Sequence, residues 1–284
     1  MTELDQRLRS GDLDAAAEDL EVQYVKKQIQ LLLYRLRLLP RERRTRLQGE
    51  LIEDLLEQAA SIDTPRGPIS FVPMGRVGAA RGLRLLTKQP ATITWIDGFA
   101  PNSVFWDIGA NVGAYSLYAA LRPDASVVAF EPAAVNYFLL TANCELNRVQ
   151  DRVRCLLAGL GAESGIADLA VSQFAAAGSF GFGGRKAEVF AGRQAAMMVT
   201  IDQLVESYGL PCPNYMKIDV PILTEAVLAG GARTLARRDL RELHLEARES
   251  SAGGRRVIEL LRRSGFVISG REEHGSTDLT FVRA

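Results

Sequence analysis

An acid at the end of an apolar run, followed by glycines at alternate positions, is where this chain shows chemistry. Residues 104–116 read VFWDIGANVGAYS. Val104, Phe105 and Trp106 lead into Asp107; Gly109, Asn111 and Gly113 then space a tight turn, and a helical run follows. A strand, a loop and a helix start in that order set backbone N–H groups and a positive helix end beside a nucleotide-like ligand. The pyrophosphate-binding form of this loop reads G-x-G-x-x-G. Here D-x-G-x-N-x-G stands instead. A carboxylate at that place repels a pyrophosphate but suits an ammonium group. S-Adenosylmethionine carries an ammonium group and no phosphate.

A second acid supports this reading. The run SVVAFEP at 126–132 ends its apolar stretch in Glu131, 24 residues after Asp107. That is close to the roughly 20 residues that separate the glycine loop from a ribose-binding acid in a βαβ unit. The plain alternative is a βαβ unit whose acid only caps the next helix.

With these segments, DIGANVGAYSLYAA, AFEPAAVNYFLLTANCELN and MKIDV, the chain resembles the FkbM family of S-adenosylmethionine-dependent methyltransferases. The resemblance covers about residues 62–284 and extends to TPRGPIS, KQPATITWIDGF, TIDQL and the closing GFVISG and LTFVRA. It implies that Asp107, Gly109 and Gly113 hold the methionine end of the cofactor and that Glu131 holds the ribose. Ala110, Asn111 and Ser116 of the same loop and helix, Pro132 and Asn136 beside Glu131, and Asp219 complete the expected cofactor set. The implied activity is O-methylation of a hydroxyl on a sugar, glycan or natural-product small molecule.

The elements that position these residues follow from the pattern. Strands over 104–107, 126–131, 152–157, 214–220 and 240–246 alternate with helices over 112–121, 133–147, 222–235 and 252–264. That alternation argues a parallel sheet with helices on both faces. Two closing strands, 266–270 and 278–283, complete a Rossmann-like α/β fold with seven strands, one of them reversed, as in class I methyltransferases. The lead-in 62–103 reads as β-rich, with PISFV and ATITWI as strands. Within 164–200, two strands flank a glycine-rich segment at 178–184. No Lys-Ser/Thr pair follows it, so it reads as a mobile loop at the substrate mouth rather than a phosphate cradle.

Ahead of this domain, residues 1–61 form a helical extension. Val25, Ile29, Leu32, Leu36 and Leu39 are spaced 4, 3, 4, 3 on a helix over 12–39, the seam of a coiled coil or helical hairpin. Pro40 stops it, RERRTR at 41–46 reads as a solvated turn, and a second helix covers 44–60. The extension packs on the catalytic domain or serves as a dimerisation arm, which predicts a homodimer.

Methyl transfer to an alcohol needs alignment and a base for the acceptor's proton. Asp219 and Glu246 stand at the carboxyl ends of strands, where open α/β sheets bind ligands. Lys217 lies two residues before Asp219 and shares its face; the two either pair or serve the acceptor. His244 shares a face with Glu246 and reads as a satisfied core residue. His274 reads as a solvent-facing turn residue.

The chain departs from the family where KIDVDG and a following Glu are usual. Pro221 and Ile222 replace Asp-Gly, Thr224 takes the place of the Glu, and Glu225 follows one position later. Gln89 likewise stands where an acid is usual, in Lys88-Gln89-Pro90. The lost acids argue against a metal site. They also motivate a rival reading, a non-catalytic binding or scaffolding protein that keeps the fold. A nicotinamide dehydrogenase is disfavoured, because Asp107 replaces a glycine and no Tyr-x-x-x-Lys pair is present.

Composition narrows the rest. In 284 residues, 34 Lys and Arg balance 34 Asp and Glu, so the net charge gives no global footprint for nucleic acid. The cysteines Cys144, Cys155 and Cys212 have no metal-like spacing and read as reduced thiols. Met1–Ser10 is polar, unlike a signal peptide, and no run approaches the roughly 18 apolar residues of a membrane span. A cytoplasmic protein is the expectation.

Overall fold

The computed structural model describes residues 13–74, 82, 84–171, 181–182, 192–220, 223–273 and 277–284. The chain divides into two compact units, one ending at Glu57 and one beginning at Gln58.

The first unit is helical. Helix α1 spans Leu13–Leu38 and α2 spans Arg41–Glu57. Pro40 ends α1, yet Arg41 starts the next helix at once, so RERRTR is the opening of α2 and not a turn. Proline lacks only an N–H that a helix start leaves unused, and the Arg44 N–H donates to the Pro40 carbonyl at 3.0 Å. Arg41, Arg43 and Arg46 remain exposed.

The second unit begins with a short antiparallel pair, β1 (Ala60–Ile62) and β2 (Ile69–Phe71), followed by α3 (Leu85–Lys88) and α4 (Pro90–Asp97). ATITWI therefore lies on a helix, not a strand. Its alternation of Thr and apolar residues also places Thr92, Ile93 and Ile96 on one helical face, and all three are buried. With Pro90 at the helix start, tertiary burial overrides the β propensity of these residues.

Next come β3 (Val104–Ile108), α5 (Ala114–Ala120), β4 (Ser126–Phe130), α6 (Ala134–Leu146) and β5 (Val153–Leu156). A side sheet is then built from β6 (Gly159–Leu160), β7 (Gly165–Val171), β8 (Gly181–Phe182) and β9 (Gly192–Val199), in the order β6-β9-β7-β8. The two strands expected around the glycine-rich segment are β7 and β9, antiparallel from Gly165↔Met198 to Val171↔Gly192. Of the segment 178–184 itself, only Gly181–Phe182 is described, as a strand on β7; the remainder of that expected loop lies outside the described residues.

The chain returns through α7 (Ile201–Glu206), β10 (Tyr215–Ile218), α8 (Thr224–Ala229) and α9 (Ala232–Leu235). The single helix expected over 222–235 is thus two, divided at Gly230–Gly231. It closes with β11 (Glu242–Glu246), α10 (Ala252–Arg263), β12 (Phe266–Glu273) and β13 (Thr277–Arg283).

The central sheet has seven strands in the order β12-β13-β11-β10-β3-β4-β5. β11, β10, β3, β4 and β5 are parallel neighbours, and β13 alone runs antiparallel to both of its neighbours. Burial on both faces makes these strands apolar throughout. Trp106, Ile108, Met216, Ile218, Leu243 and Leu245 pack on one face, and Phe105, Val127, Ala129 and Tyr215 on the other. The second face carries the polar exceptions. Asp107, Lys217, His244 and Thr280 are register partners on four adjacent strands, a polar rung at the carboxyl ends of β3, β10 and β11.

Candidate active site

The loop after β3 is built from backbone that only certain residues adopt. Gly109, Asn111 and Gly113 have φ of 84°, 55° and 86°, the left-handed region that glycine and asparagine enter most easily. The N–H groups of Gly109 and Ala110 both donate to the Phe130 carbonyl at 3.0 Å, tying the loop to β4. A Cβ on Gly109 would stand 2.7 Å from the Asp219 carbonyl oxygen, and one on Gly113 would stand 2.6 Å from Leu140 Cδ1. The glycines thus let the β3 loop pass against β10 and α6. Gly109→Ala is expected to displace Asp219 and to cost about 1–3 kcal/mol in backbone strain. A thermal melt of the variant that matches wild type would contradict this.

Asp107 is buried under the loop. Its Oδ2 accepts from Ser116 Oγ at 2.6 Å, whereas Oδ1 is buried with no hydrogen-bond partner among the described residues. Burial pushes its carboxyl pKa up, and the Lys217 charge opposes that. Ser116 is fully buried and so orients Asp107 from behind. Glu131 closes the far side: it accepts from the N–H groups of Asn111 and Ala133, both at 2.9 Å, and from Asn136 Nδ2 at 3.4 Å. It therefore braces both the glycine loop and the start of α6. Asn136 is buried behind it, and Pro132 lies between Glu131 and Ala133.

Lys217 is the buried cation of the rung. Its Nζ donates to Asp219 Oδ2 at 3.1 Å and sits 4.7 Å from the centre of the Tyr115 ring. Burial lowers its pKa, but Asp219 and Asp107 raise it more, so the net shift is upward and the ammonium persists. Lys217 and Asp219 are a pair, as their spacing allowed. The Asp219 side chain remains 28% exposed and lines a cleft of about 30 Å³ with Gly109, Asn111, Tyr115 and Lys88. Glu246, the other candidate base, is half-buried opposite Asp278 on β13 and does not line that cleft.

Behind the cleft runs a chain of hydrogen bonds that the sequence did not announce. Burial first, and the Asp219 and Asp107 charges next, push the Tyr115 phenol pKa up. It stays protonated and donates to Gln89 Oε1. Gln89 Nε2 in turn donates to the buried Asp278 at 2.7 Å. An amide satisfies both contacts; a carboxylate at residue 89 would face Asp278 with like charge. His244 is buried, with Nε2 2.9 Å from Thr92 Oγ1 and Nδ1 3.0 Å from Thr280 Oγ1, and it stacks on Trp95. It is a satisfied interior residue. His274, Pro221 and Ile222 lie outside the described residues.

One further side chain braces the site from the side sheet. Gln194 of β9 accepts from the Ala134 N–H at 3.0 Å and donates to the Pro132 carbonyl at 2.7 Å, clamping the side sheet to the loop after Glu131. No sequence motif marks it. Glu225 does not restore the lost acid: it pairs with Arg256 of α10 at 2.8 Å on the surface. Thr224 is buried and donates to the Val220 carbonyl at 3.2 Å.

A seven-stranded, mostly parallel sheet with one reversed strand, and a glycine loop between two buried acids at its carboxyl edge, define a Rossmann-like methyltransferase. Residues 107–268 match the family described as the Methyltransferase FkbM domain, over more than half of the chain. The chain belongs to this family and is a methyltransferase. It is 29% identical over 185 residues to the hexuronic acid methyltransferase AglP of Haloferax volcanii, covering 60% of this chain and 72% of that relative. It is 46% identical over 54 residues to the 31-O-demethyl-FK506 methyltransferase FkbM of Streptomyces tacrolimicus, 19% of this chain and 21% of that one. Among solved structures, the methyltransferase FkbM of Methylobacillus flagellatus aligns with a TM-score of 0.42 at 18% identity, over 63% of this chain and 43% of that one.

Proposed function

We propose that this methyltransferase uses S-adenosylmethionine and methylates a hydroxyl on a sugar or natural-product small molecule. The observation that carries the cofactor reading is Asp107 Oδ1, a buried carboxylate oxygen with no hydrogen-bond partner among the described residues, beside the glycine loop. Such an oxygen is costly to leave alone, and an ammonium group satisfies it. Gly109 and Gly113 leave the backbone bare beside it, and Glu131 stands at the end of the next strand to receive ribose hydroxyls. The chemistry of the residues fits the cofactor. Leu85 and Lys88 of α3 line the same cleft as Gly109, Asn111, Tyr115 and Asp219.

When bound, the cofactor supplies a methyl group on a sulfonium. The chain's own residues do the rest. Asp219 takes the acceptor's hydroxyl proton, Lys217 fixes the Asp219 carboxylate, and Tyr115 closes the rear wall. The acceptor class is supported by the similarity to relatives named for a hexuronic acid and for a 31-O-demethyl compound. Three free thiols support a reducing, cytoplasmic setting. The balanced charge supports a small-molecule acceptor over nucleic acid. The seam of α1 supports a homodimer formed through the N-terminal helices.

Calorimetry with S-adenosylhomocysteine tests the cofactor. We expect micromolar binding by wild type and loss of about 2 kcal/mol or more in Asp107→Ala, as for a charge-assisted hydrogen bond. No heat with wild type would overturn the cofactor reading. Binding without turnover on any sugar or natural-product hydroxyl would overturn the acceptor reading.

A further inference from the structure

α1 exposes more apolar surface than a solvated helix keeps. Val22, Val25, Ile29 and Leu32 are 45–50% exposed along one seam, which Leu36 and Leu39 continue; Leu36 alone among them is buried. The charges along the same unit are segregated. Residues 14–21 carry Asp14, Glu18, Asp19 and Glu21 and no base, whereas 41–46 carry Arg41, Arg43, Arg44 and Arg46 with one acid. Those four arginines open α2, at the helix end whose bare N–H groups are already positive. Among the described residues only Arg46 of the four has a carboxylate partner, Glu50 at 2.8 Å.

We infer that α1 docks on α1 of a second copy of this chain in antiparallel orientation, with residues 14–21 of each copy beside the arginine-rich start of α2 of the other. This deepens the homodimer reading above and rests on it. One register satisfies both patterns. With Ile29 opposite Leu32 of the second copy, Val22 meets Leu39 and Val25 stands opposite Leu36, whose side chain its own chain already covers, so the exposed positions of the two seams face each other. The same register sets 14–21 beside 40–47. A parallel pair would set acids against acids and arginines against arginines. The helix macrodipole reaches only the end turns; it favours Asp14 in the first turn of α1 but not Glu21 two turns in, and it opposes the arginines at the start of α2. An anionic lipid surface would attract the arginines but repel the acidic segment that precedes them.

Light scattering on the full chain and two charge variants decides the matter. One variant carries Asp14→Lys, Glu18→Lys, Asp19→Lys and Glu21→Lys; the other carries Arg41→Glu, Arg43→Glu, Arg44→Glu and Arg46→Glu. We expect wild type at twice the 31.0 kDa chain mass, each variant alone at the single-chain mass, and the equimolar mixture back at the double mass. Recovery in the mixture also shows that both variants are folded. A wild-type dimer whose mass neither variant changes would overturn the antiparallel charge pairing and leave the homodimer standing. Wild type at the single-chain mass would overturn both, and pelleting of that monomer with phosphatidylglycerol vesicles would assign the seam to lipid.

Discussion

Lys217→Met is expected to destabilise the fold by about 3–5 kcal/mol, the cost of leaving buried charge without its partner. Lys217 is 3% exposed, bonds Asp219, and is the register partner of Asp107 on the adjacent strand. Methionine keeps the volume and removes the charge, so two carboxylates then face a low-dielectric interior with no cation between them. The deficit should depend on pH. Burial already raises the Asp107 pKa, and Lys217 holds it down; without Lys217 the folded-state pKa rises further above the unfolded one. A carboxyl whose folded pKa is raised binds its proton more tightly when folded, so acid favours the folded variant. The loss relative to wild type should therefore be largest at neutral pH and shrink as pH falls toward 4, near the ordinary carboxylate range. Urea melts at pH 7 and pH 5 measure it. A variant as stable as wild type at pH 7 would show that the rung carries no net charge coupling.

Asp219→Asn is expected to lower kcat by about 100-fold or more, within the usual contribution of a positioned base. The amide is nearly isosteric, and its oxygen can keep the bond from Lys217 Nζ, so the fold and the glycine loop are retained. S-Adenosylhomocysteine should still bind, which separates loss of the base from loss of the site. The corresponding Glu246→Gln variant should keep its rate, since Glu246 does not line the Asp219 cleft. If Glu246→Gln lost the rate and Asp219→Asn kept it, the assignment of the base would be reversed.

The core of the site was legible because it is local in sequence. Asp107, the glycines and Glu131 belong to one strand-loop-helix-strand unit whose spacing the backbone enforces, so a linear pattern contains the geometry. The Lys217–Asp219 pair was legible for the same reason, two residues on one strand face. The rest was not, because distant segments make it. The rung joins residues 107, 217, 244 and 280, whose adjacency exists only once strand order and register are set. Gln89 reaches Asp278 across 189 positions. Residues 91–96 carry the alternation of a strand because the period of two and the helical i, i+3 spacing coincide over so short a run, and burial chooses the helix. Gln194 belongs to a side sheet inserted between β5 and β10, where its amide meets backbone groups that carry no sequence signature.

The reversed strand sets an order for biosynthesis. β13 is the last of the seven sheet strands to leave the ribosome, yet it lies between β11 and β12, not at the sheet edge. It also delivers Asp278 and Thr280, which hold Gln89 and His244. A nascent chain that has emerged only through β12 has no strand to seat β12 against β11, and the far end of its polar rung is open. The polar rung of the candidate site is thus complete only once the hairpin of β12 and β13 has joined the sheet.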